Sequence, residues 1–469
     1  MLPRDIADSR IGLVCACLLL AAAGMGSPAA AQDTNYWTDQ FGNTELLLGG
    51  AVVASVADTS AVFYNPGALA LNQQRQALLS ANVVDYMTVT GEQGLGRGRN
   101  FDDSRLRWLP SLVAGELKLE ALGKNRVAYS ILVRQSVSTR LEDRREIVPP
   151  SPAGQPSTIY TDSRLDANLS EYWGGLTWAR PWGKKVGLGV TLFAAARDQR
   201  GRPEASVQTV RGSQEGAIGL VSHDYSFVHG RVFLRMGLNA DVQKWELGLT
   251  LTTPSLGIWG RGSAGYDSSL VSSGEQGQPG SARITTNDQT SLPAHFQSPL
   301  SIAVGLTRSF GKMHLGASAE WFDAVGPFLV LEPEPFVSQS TGELLRNDVS
   351  YGLGQVLNLA AGLQYDLSPS WRAFAGFRTD RSGALPRSRS NATFWTTDLY
   401  HVSAGFTLKV GDADVALGFV YARGDGDTPP IVDQLPGVDG LALPPIKTQW
   451  RRYTVLLGLN LPFATDGGR

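Results

Sequence analysis

The sequence predicts an all-β fold, a transmembrane antiparallel β-barrel of about 14 strands with a small, partly helical N-terminal hatch in its lumen. Three observations predict it. The chain opens on an export signal. It carries period-two apolar stripes instead of long apolar helices. Its connections alternate between tight turns and long polar loops.

Residues 1–31 read as a cleaved signal peptide. Arg4 and Arg10 supply the basic region, Ile11–Met25 the apolar core, and Ala29-Ala30-Ala31 an A-x-A cleavage site. The only two cysteines, Cys15 and Cys17, lie inside this signal, so the mature chain has no disulfide and no thiolate for a metal. A net charge of −2 over 469 residues removes the electrostatic basis for nucleic-acid binding. No second apolar run is long enough for a membrane helix. An exported chain with 53 Gly, 11 Trp and 13 Tyr is then either a large periplasmic or secreted β protein or an outer-membrane barrel.

Alternation decides between these. In Tyr453–Phe463 the odd positions are Tyr453, Val455, Leu457, Leu459, Leu461 and Phe463, while Thr454, Gly458 and Asn460 take the other face. His401–Val410 sets Val402, Ala404, Phe406, Leu408 and Val410 against His401, Ser403, Gly405, Thr407 and Lys409. The same reading places strands over 77–90, 105–120, 125–140, 165–180, 184–197, 223–241, 243–258, 297–310, 312–325, 354–367, 370–380, 397–410, 413–424 and 449–463. Tight turns fall at Ala121–Lys124, Pro181–Gly183, Asp241–Gln243, Gly311, Ser368-Pro369 and Gly411-Asp412. Polar loops are expected over Leu141–Arg164, Gly201–Ser222, Trp259–Phe296, Gly326–Leu353 and Asp425–Gln449. Short and long connections alternate, as periplasmic turns and extracellular loops do. Tyr172, Trp173, Trp178, Trp182, Trp321, Trp371, Trp395, Tyr400, Tyr421, Trp450 and Tyr453 fall near strand ends, where interfacial girdles form. The barrel spans 77–463, with a tail at 464–469.

A wide barrel needs a stopper, and 32–76 has the length for one. Asp58-Thr59-Ser60 caps a short helix through Ala61–Tyr64, which Asn65 ends because it precedes a proline. Asn65 then caps a second helix with Pro66 at its first position, running through Gly67–Leu71. Phe63, Tyr64, Leu69 and Leu71 anchor this hatch to the wall. Tyr36, Trp37 and Phe41 are candidates for the floor of an apolar pocket. Arg134, Arg235, Arg378 and Arg452 face inward beside Glu246 and Glu320. Either they pair within a wet lumen, or one of them receives a ligand carboxylate.

The stretch GGAVVASVADTSAVFYNPGALAL, Gly49–Leu71, resembles the N-terminal hatch of the FadL/TodX family of outer-membrane transport proteins for hydrophobic compounds. The resemblance implies passive uptake of long-chain fatty acids or of aromatic and aliphatic hydrocarbons, and a hatch that shifts on ligand binding. It also implies sideways exit near strand 3 and both termini in the periplasm. Asp58, Phe63, Tyr64, Asn65, Pro66 and Gly67 are then gating candidates. Three features depart from the family. Gly67 stands where the family has alanine. Strand 3, Arg126–Arg140, has no Gly or Pro to mark a bulge. The loops Asp198–Ser222 and Gly260–Gln297 are polar.

The expected partners are outer-membrane lipid and lipopolysaccharide (which Arg97 and Arg99 could touch), a hydrophobic ligand, and the barrel-assembly machinery through the C-terminal strand. No cofactor, metal or nucleic acid is expected. A polar porin, or a structural or adhesive barrel with a static plug, is the competing reading. Enzyme chemistry would have to use His401 with Ser403, but no G-x-S-x-G elbow exists, so no catalytic residue is assigned. Gly424-Asp425-Gly426-Asp427 reads as a solvated turn and lacks the length of a calcium loop.

Overall fold

The computed structural model describes residues 34–72, 76–117, 123–148, 157–211, 215–273, 280–393, 396–411, 413–428, 430–431 and 444–462. The signal peptide, Trp395 and the 464–469 tail lie outside them.

Among the described residues, twenty strands follow three short helices. The strands are β1 (Gln76–Gly91), β2 (Phe101–Leu117), β3 (Arg126–Ile147), β4 (Ser157–Trp182), β5 (Val186–Arg211), β6 (Glu215–Val242), β7 (Trp245–Thr252), β8 (Leu256–Ser272), β9 (Ser281–Pro293) and β10 (Ser301–Phe310). After them come β11 (Met313–Phe322), β12 (Val325–Leu331), β13 (Phe336–Val337), β14 (Leu344–Leu345), β15 (Val349–Leu353), β16 (Val356–Asp366), β17 (Trp371–Asp380), β18 (Leu399–Val410), β19 (Ala413–Thr428) and β20 (Ile446–Pro462). Antiparallel pairing runs from β1 through β2, β3, β4, β5, β6, β7, β10, β11, β16, β17, β18 and β19 to β20, which pairs with β1 again. A sheet paired in this way has no free edge along its ring. β8 and β9 form a hairpin on the upper half of β6, and β12 with β15 makes a small separate sheet.

Tight turns close one end of this ring, with positive φ at Gly183, Gln243, Gly311 and Gly411. At the other end the strands run past their expected limits. Most of the stretches read as loops at Leu141–Arg164, Gly201–Ser222 and Trp259–Phe296 are strand, and β19 carries straight through Asp425 and Asp427. The reason is visible in β4. From Tyr172 to Trp178 the outward side chains are apolar and exposed, with Tyr172, Leu176 and Trp178 bare, while Glu171, Trp173 and Thr177 are buried inside. From Ile159 to Leu169 the pattern inverts: Ile159, Leu165, Ala167 and Leu169 are buried inside, and Asp162, Arg164, Asp166 and Asn168 lie outside. The lower half presents the face that hydrocarbon requires and the upper half the face that water requires, on one continuous strand. The upper core joins Val137, Leu141, Val207, Tyr225 and Phe227 of the extended strands with Leu331, Tyr351 and Leu353 from β12 and β15. Two expected girdle residues are instead lumenal: Trp173 and Trp450 are buried.

The hatch, residues 34–72, sits inside the ring. It contains α1 (Asn43–Leu47), α2 (Ala61–Tyr64) and α3 (Pro66–Leu69). Wall side chains from several strands bond its backbone. Thr191 and Thr250 donate to the carbonyls of Val62 and Tyr64, Ser403 to that of Leu47, and Asn239 to that of Ala54. This close approach depends on inward glycines. Built on Gly376, a Cβ would lie 2.4 Å from the Gly49 nitrogen; on Gly248 it would lie 2.1 Å from the Val53 oxygen; on Gly187 it would lie 2.1 Å from the Gly67 oxygen. Gly305, Gly316 and Gly362 meet the backbone of Ala54, Ala51 and Leu48 in the same way, and Gly458 meets the Asn43 side chain.

Replacing Gly376 by alanine is therefore expected to lift the hatch without opening the ring, at a cost of about 1–3 kcal/mol in hatch seating. Limited proteolysis should cut within 34–72 faster than in wild type, while the heat-modifiable gel mobility of the barrel stays normal.

Candidate functional site

The hatch and the wall enclose a cavity about midway along the ring, whose empty space is about 930 Å³, part of it continuous with solvent. Tyr36, Trp37, Phe63 and Tyr64 line it from the hatch. Trp173, Phe233 and Phe322 line it from the wall, and Phe296 and Tyr351 from the loop end. Tyr36 stacks on Phe322 with ring centroids 4.0 Å apart, and Trp173 stands edge-on to Phe233 at 4.7 Å. Rings packed in this way present apolar faces to a ligand and keep their own shape.

Four guanidinium groups share the cavity with two carboxylates. Glu171 accepts from Arg197 at 2.9 Å, from Arg231 at 2.6 Å and from the Trp173 indole at 2.6 Å. Glu320 accepts from the Trp37 indole at 2.8 Å, from Ser301 at 2.8 Å and from Arg235 at 3.4 Å. Arg134 donates to the Tyr36 carbonyl. The cations also lie over rings: Arg197 and Arg231 at 4.1 and 5.0 Å from the Phe296 centroid, Arg235 at 4.6 Å from that of Phe63. Four positive groups against two negative ones leave an excess of positive charge, and Arg231 Nη1 and Arg235 Nε are buried without a hydrogen-bond partner. An anionic oxygen could be accepted by either donor.

Beside Arg134 the wall is interrupted. β2 pairs with β3 only from Leu117↔Val127 to Leu112↔Leu132. Just above, the β3–β4 register shifts between Val133 and Gln135, which makes Arg134 a bulge residue. Six successive residues, Arg134 to Thr139, are buried, so the strand has turned inward. The expectation that an uninterrupted strand 3 would lack a bulge is corrected here. A bulge of this kind needs no glycine or proline, only an extra residue, and the side chain it turns inward is held by the Tyr36 carbonyl.

The local chemistry of the hatch follows its sequence closely. Asn65 caps α3, its Oδ1 accepting from Gly67 N at 3.0 Å, while its Nδ2 donates to Val53 O at 2.8 Å and to Leu238 O on the wall at 3.0 Å. The expected cap of α2 is corrected: Asp58 Oδ1 accepts from Ser60 N at 2.7 Å and closes a turn before the helix, and no side chain caps its first amides. Tyr64 donates to Gln40 and accepts from Phe41 N, both at 2.9 Å. Pro66 and Gly67 press on the wall: a Cβ on Gly67 would lie 2.6 Å from Gly187 O and 2.7 Å from Gly237 O. The glycine in place of the family's alanine is thus required by contact, and it is not the mild change a helix start alone would suggest.

Of the candidate ligand residues, Tyr36, Trp37, Arg134 and Arg235 line the cavity. Phe41 does not; it is fully buried against Phe63 in the hatch core. Arg378 and Arg452 lie elsewhere and clamp the hatch. Arg378 donates to the carbonyls of Trp37 and Thr38 at 3.0 and 3.1 Å, and Arg452 bridges Asp39 and Asp85 at 2.6 and 2.7 Å. His401 meets Arg378 at 2.9 Å and Ser403 donates to Leu47 O, so this pair faces the hatch and not one another. Glu171, Arg197, Arg231 and Phe296 were not singled out from the sequence. For the first three the available signal was a charged residue at an inward, period-two position of a strand. Phe296 carried none.

No protein-family model matches the chain, and no curated protein matches it either. Solved structures do. The chain is similar to the Pseudomonas putida toluene transporter TodX, with TM-score 0.56 and 12% identity over 91% of this chain and 99% of that one. It is also similar to a Pseudomonas aeruginosa FadL homologue, with TM-score 0.55 and 14% identity over 92% and 100%. The fold is FadL/TodX-like, and these neighbours are transport proteins of the outer membrane, not enzymes.

Two outcomes follow for the hatch. Gly67→Ala is expected to loosen the contact with Gly187 and Gly237, seen as faster amide exchange at 61–71. The second concerns pH. Burial pushes the Glu45 and Asp58 carboxyls above the usual carboxylate range, and the Asp58 charge raises Glu45 further. Raised folded-state values mean that this contribution is complete below the unfolded carboxylate range and is lost as pH rises through the folded values. Exchange protection of 43–60 should therefore fall from acid to mildly alkaline pH, and the double variant Glu45→Gln, Asp58→Asn should flatten that dependence.

Proposed function

We propose that the protein is a passive channel for hydrophobic small molecules in the outer membrane. Its substrates are long-chain fatty acids or aromatic and aliphatic hydrocarbons, and its hatch is the gate. Both termini are periplasmic in this reading, so the tight turns face the periplasm and the extended strands face outward. The observation that carries it is the continuity of three parts: an aromatic cavity, a hatch forming its floor, and the β2–β3 interruption beside Arg134. A molecule resting among Tyr36, Phe63, Trp173 and Phe233 has the hatch beneath it and an unpaired stretch of wall at its side. Exit through that stretch needs movement of Arg134, which is tied to the hatch through Tyr36. Ligand contact with Tyr36 and Phe63 thus bears directly on the group that closes the gap.

The similarity to a transporter named for toluene and to a FadL homologue supports the hydrophobic class. Excess guanidinium charge favours members of that class that carry a carboxylate. The competing porin reading would leave a water-filled bore.

Uptake of radiolabelled oleate and toluene into proteoliposomes, with ion conductance measured in planar bilayers, tests this. Asn65→Ala removes a cap and two further hydrogen bonds, a loss of about 1–2 kcal/mol in hatch seating, and should slow growth on a hydrophobic carbon source. Arg235→Gln should weaken oleate retention roughly ten-fold and leave toluene unaffected, as loss of one charge-assisted contact does. Steady ion conductance with no hydrocarbon uptake would establish the porin instead.

A further inference from the structure

The wall is interrupted a second time, on the far side of the same cavity. β7 and β8 are one strand broken at Thr253–Ser255 around Pro254, and β9 and β10 are its neighbour broken over Ala294–Leu300 around Pro299. Below the break Thr252 pairs with Ser301; above it Arg261 pairs with Pro293. Between these rungs the cross-strand contacts are sparse. Ser255 N donates to Ser298 O at 3.3 Å, Ala294 N to Gly260 O at 3.3 Å, and Ser298 N to the Ser255 hydroxyl at 2.8 Å.

The missing rungs have been diverted. His295 N donates inward to Val330 O at 2.9 Å, and Ala294 bridges Leu331, so β12 draws this segment into the lumen. Across the gap, the β6–β8 register shifts between Gly230 and Arg231, which leaves Ile258 as an extra residue. Leu256, Gly257, Ile258 and Trp259 are all exposed in succession, at 71% for Leu256, 63% for Ile258 and 53% for Trp259. A strand flanked on both sides alternates, and four exposed residues in a row mark one whose neighbour has withdrawn.

The withdrawn segment is itself a wall of the cavity. Phe296, Gln297, Ser298 and Pro299 line it, and Gln297 is at the same time exposed. We propose that the gap between 253–260 and 294–300 is a second lateral window, through which hydrophobic molecules pass between the cavity and the leaflet on the loop side of the membrane. This inference rests on the channel reading above and adds a route to it.

Chemistry and height both fit. Neither flanking stretch contains Asp, Glu, Lys or Arg. The outer rim is Leu256, Ile258, Trp259 and Pro299, which suits an apolar or aromatic body and offers nothing to a hydrated solute. Just inside, Arg231 Nε donates to the Ser298 hydroxyl at 2.9 Å while its Nη1 is unpartnered, a ready contact for the anionic end of an entering molecule. β7 is eight residues long from its turn. At about 3.3 Å per residue and a tilt of about 40°, the window begins about 20 Å up, near the upper limit of a roughly 25 Å apolar band. Arg134 lies eight residues above the start of β3, so the two gaps open at the same level.

The mature chain offers no cysteine of its own, which makes single-cysteine variants clean. Gln297→Cys carries either a nitroxide or a bulky thiol adduct, and Ser136→Cys carries the same adduct at the β2–β3 gap. In proteoliposomes the nitroxide on Gln297→Cys should be relaxed by oxygen dissolved among the acyl chains more than by a water-soluble nickel chelate. The adduct there should cut uptake of radiolabelled oleate to roughly half, as closing one of two parallel routes does, and both adducts together should abolish it. Access by nickel alone overturns the window. So does uptake that is unchanged by the Gln297→Cys adduct and abolished by the Ser136→Cys adduct alone. Wild-type protein without any oleate uptake overturns the channel reading itself, and the lipid-contact measurement, which needs no transport, keeps the two failures apart.

Discussion

Everything in the lumen depends on backbone meeting backbone without a side chain between. The hatch has only three short helices, and although turns pair many of its amides, carbonyls such as those of Leu47, Ala54, Val62 and Tyr64 are bonded by the wall. Buried inside a ring of strands, each such group needs a donor or acceptor from the wall. Inward glycines on β5, β6, β7, β10, β11, β16 and β17 bring the two backbones to within a few ångströms, and those on β18, β19 and β20 make room for the Leu47 and Asn43 side chains. At that distance a short side chain suffices. Thr191, Asn239, Thr250, Ser318 and Ser403, each within a few residues of such a glycine, make the bonds. A larger residue at the glycine would break these bonds by distance alone and leave the orphaned groups buried.

That arrangement divides the charges of the lumen into two sets. One set holds the hatch down: Arg452 between Asp39 and Asp85, Arg378 on the carbonyls of Trp37 and Thr38, and Asp380 accepting from Trp37 N and Thr38. Arg452 is engaged through all three of its nitrogens, while Arg378 keeps its Nη1 buried without a partner. The other set, Arg134, Arg197, Arg231 and Arg235 with Glu171 and Glu320, lines the cavity between β3 and β11 and is not saturated. The same residue type thus serves as a clamp on one side of the lumen and lines the cavity on the other. Inward orientation alone, which is all that period-two reading provides, does not separate the two roles.

How much was legible follows from which interactions are local. The outward apolar stripe of β18, from Val402 to Val410, and the Asn65 cap are encoded within a few residues, and both stand in the structure as expected. The strand extensions were hidden because the sign of the pattern changes midway along each strand. Above Ser170 of β4 the apolar residues lie inside and the charged ones outside, so a search for a lipid-facing stripe ends at the inversion. The bulge at Arg134 was hidden because it comes from register against β4, a property of two strands. Phe296 was hidden because its place depends on β12 drawing its neighbours inward.

The inversion also accounts for where the wall can open. A strand in hydrocarbon cannot leave an amide unpaired, since neither water nor another chain is there to accept it. Rungs can be surrendered only where side chains or water take over the freed groups. That condition is first met at the level where outward residues change from Leu176 and Tyr172 to Asn168 and Asp166. The β2–β3 gap opens at this level, where Arg105 reaches Ser138 and the Arg140 amide turns to Asp103. The gap at 253–260 opens at the same height, where the Ser255 hydroxyl and Val330 O replace the lost partners. The cavity lies between them because the hatch fills everything below. The height of the site is therefore set by the bilayer, through the one level at which a barrel wall can be both apolar outside and unpaired within.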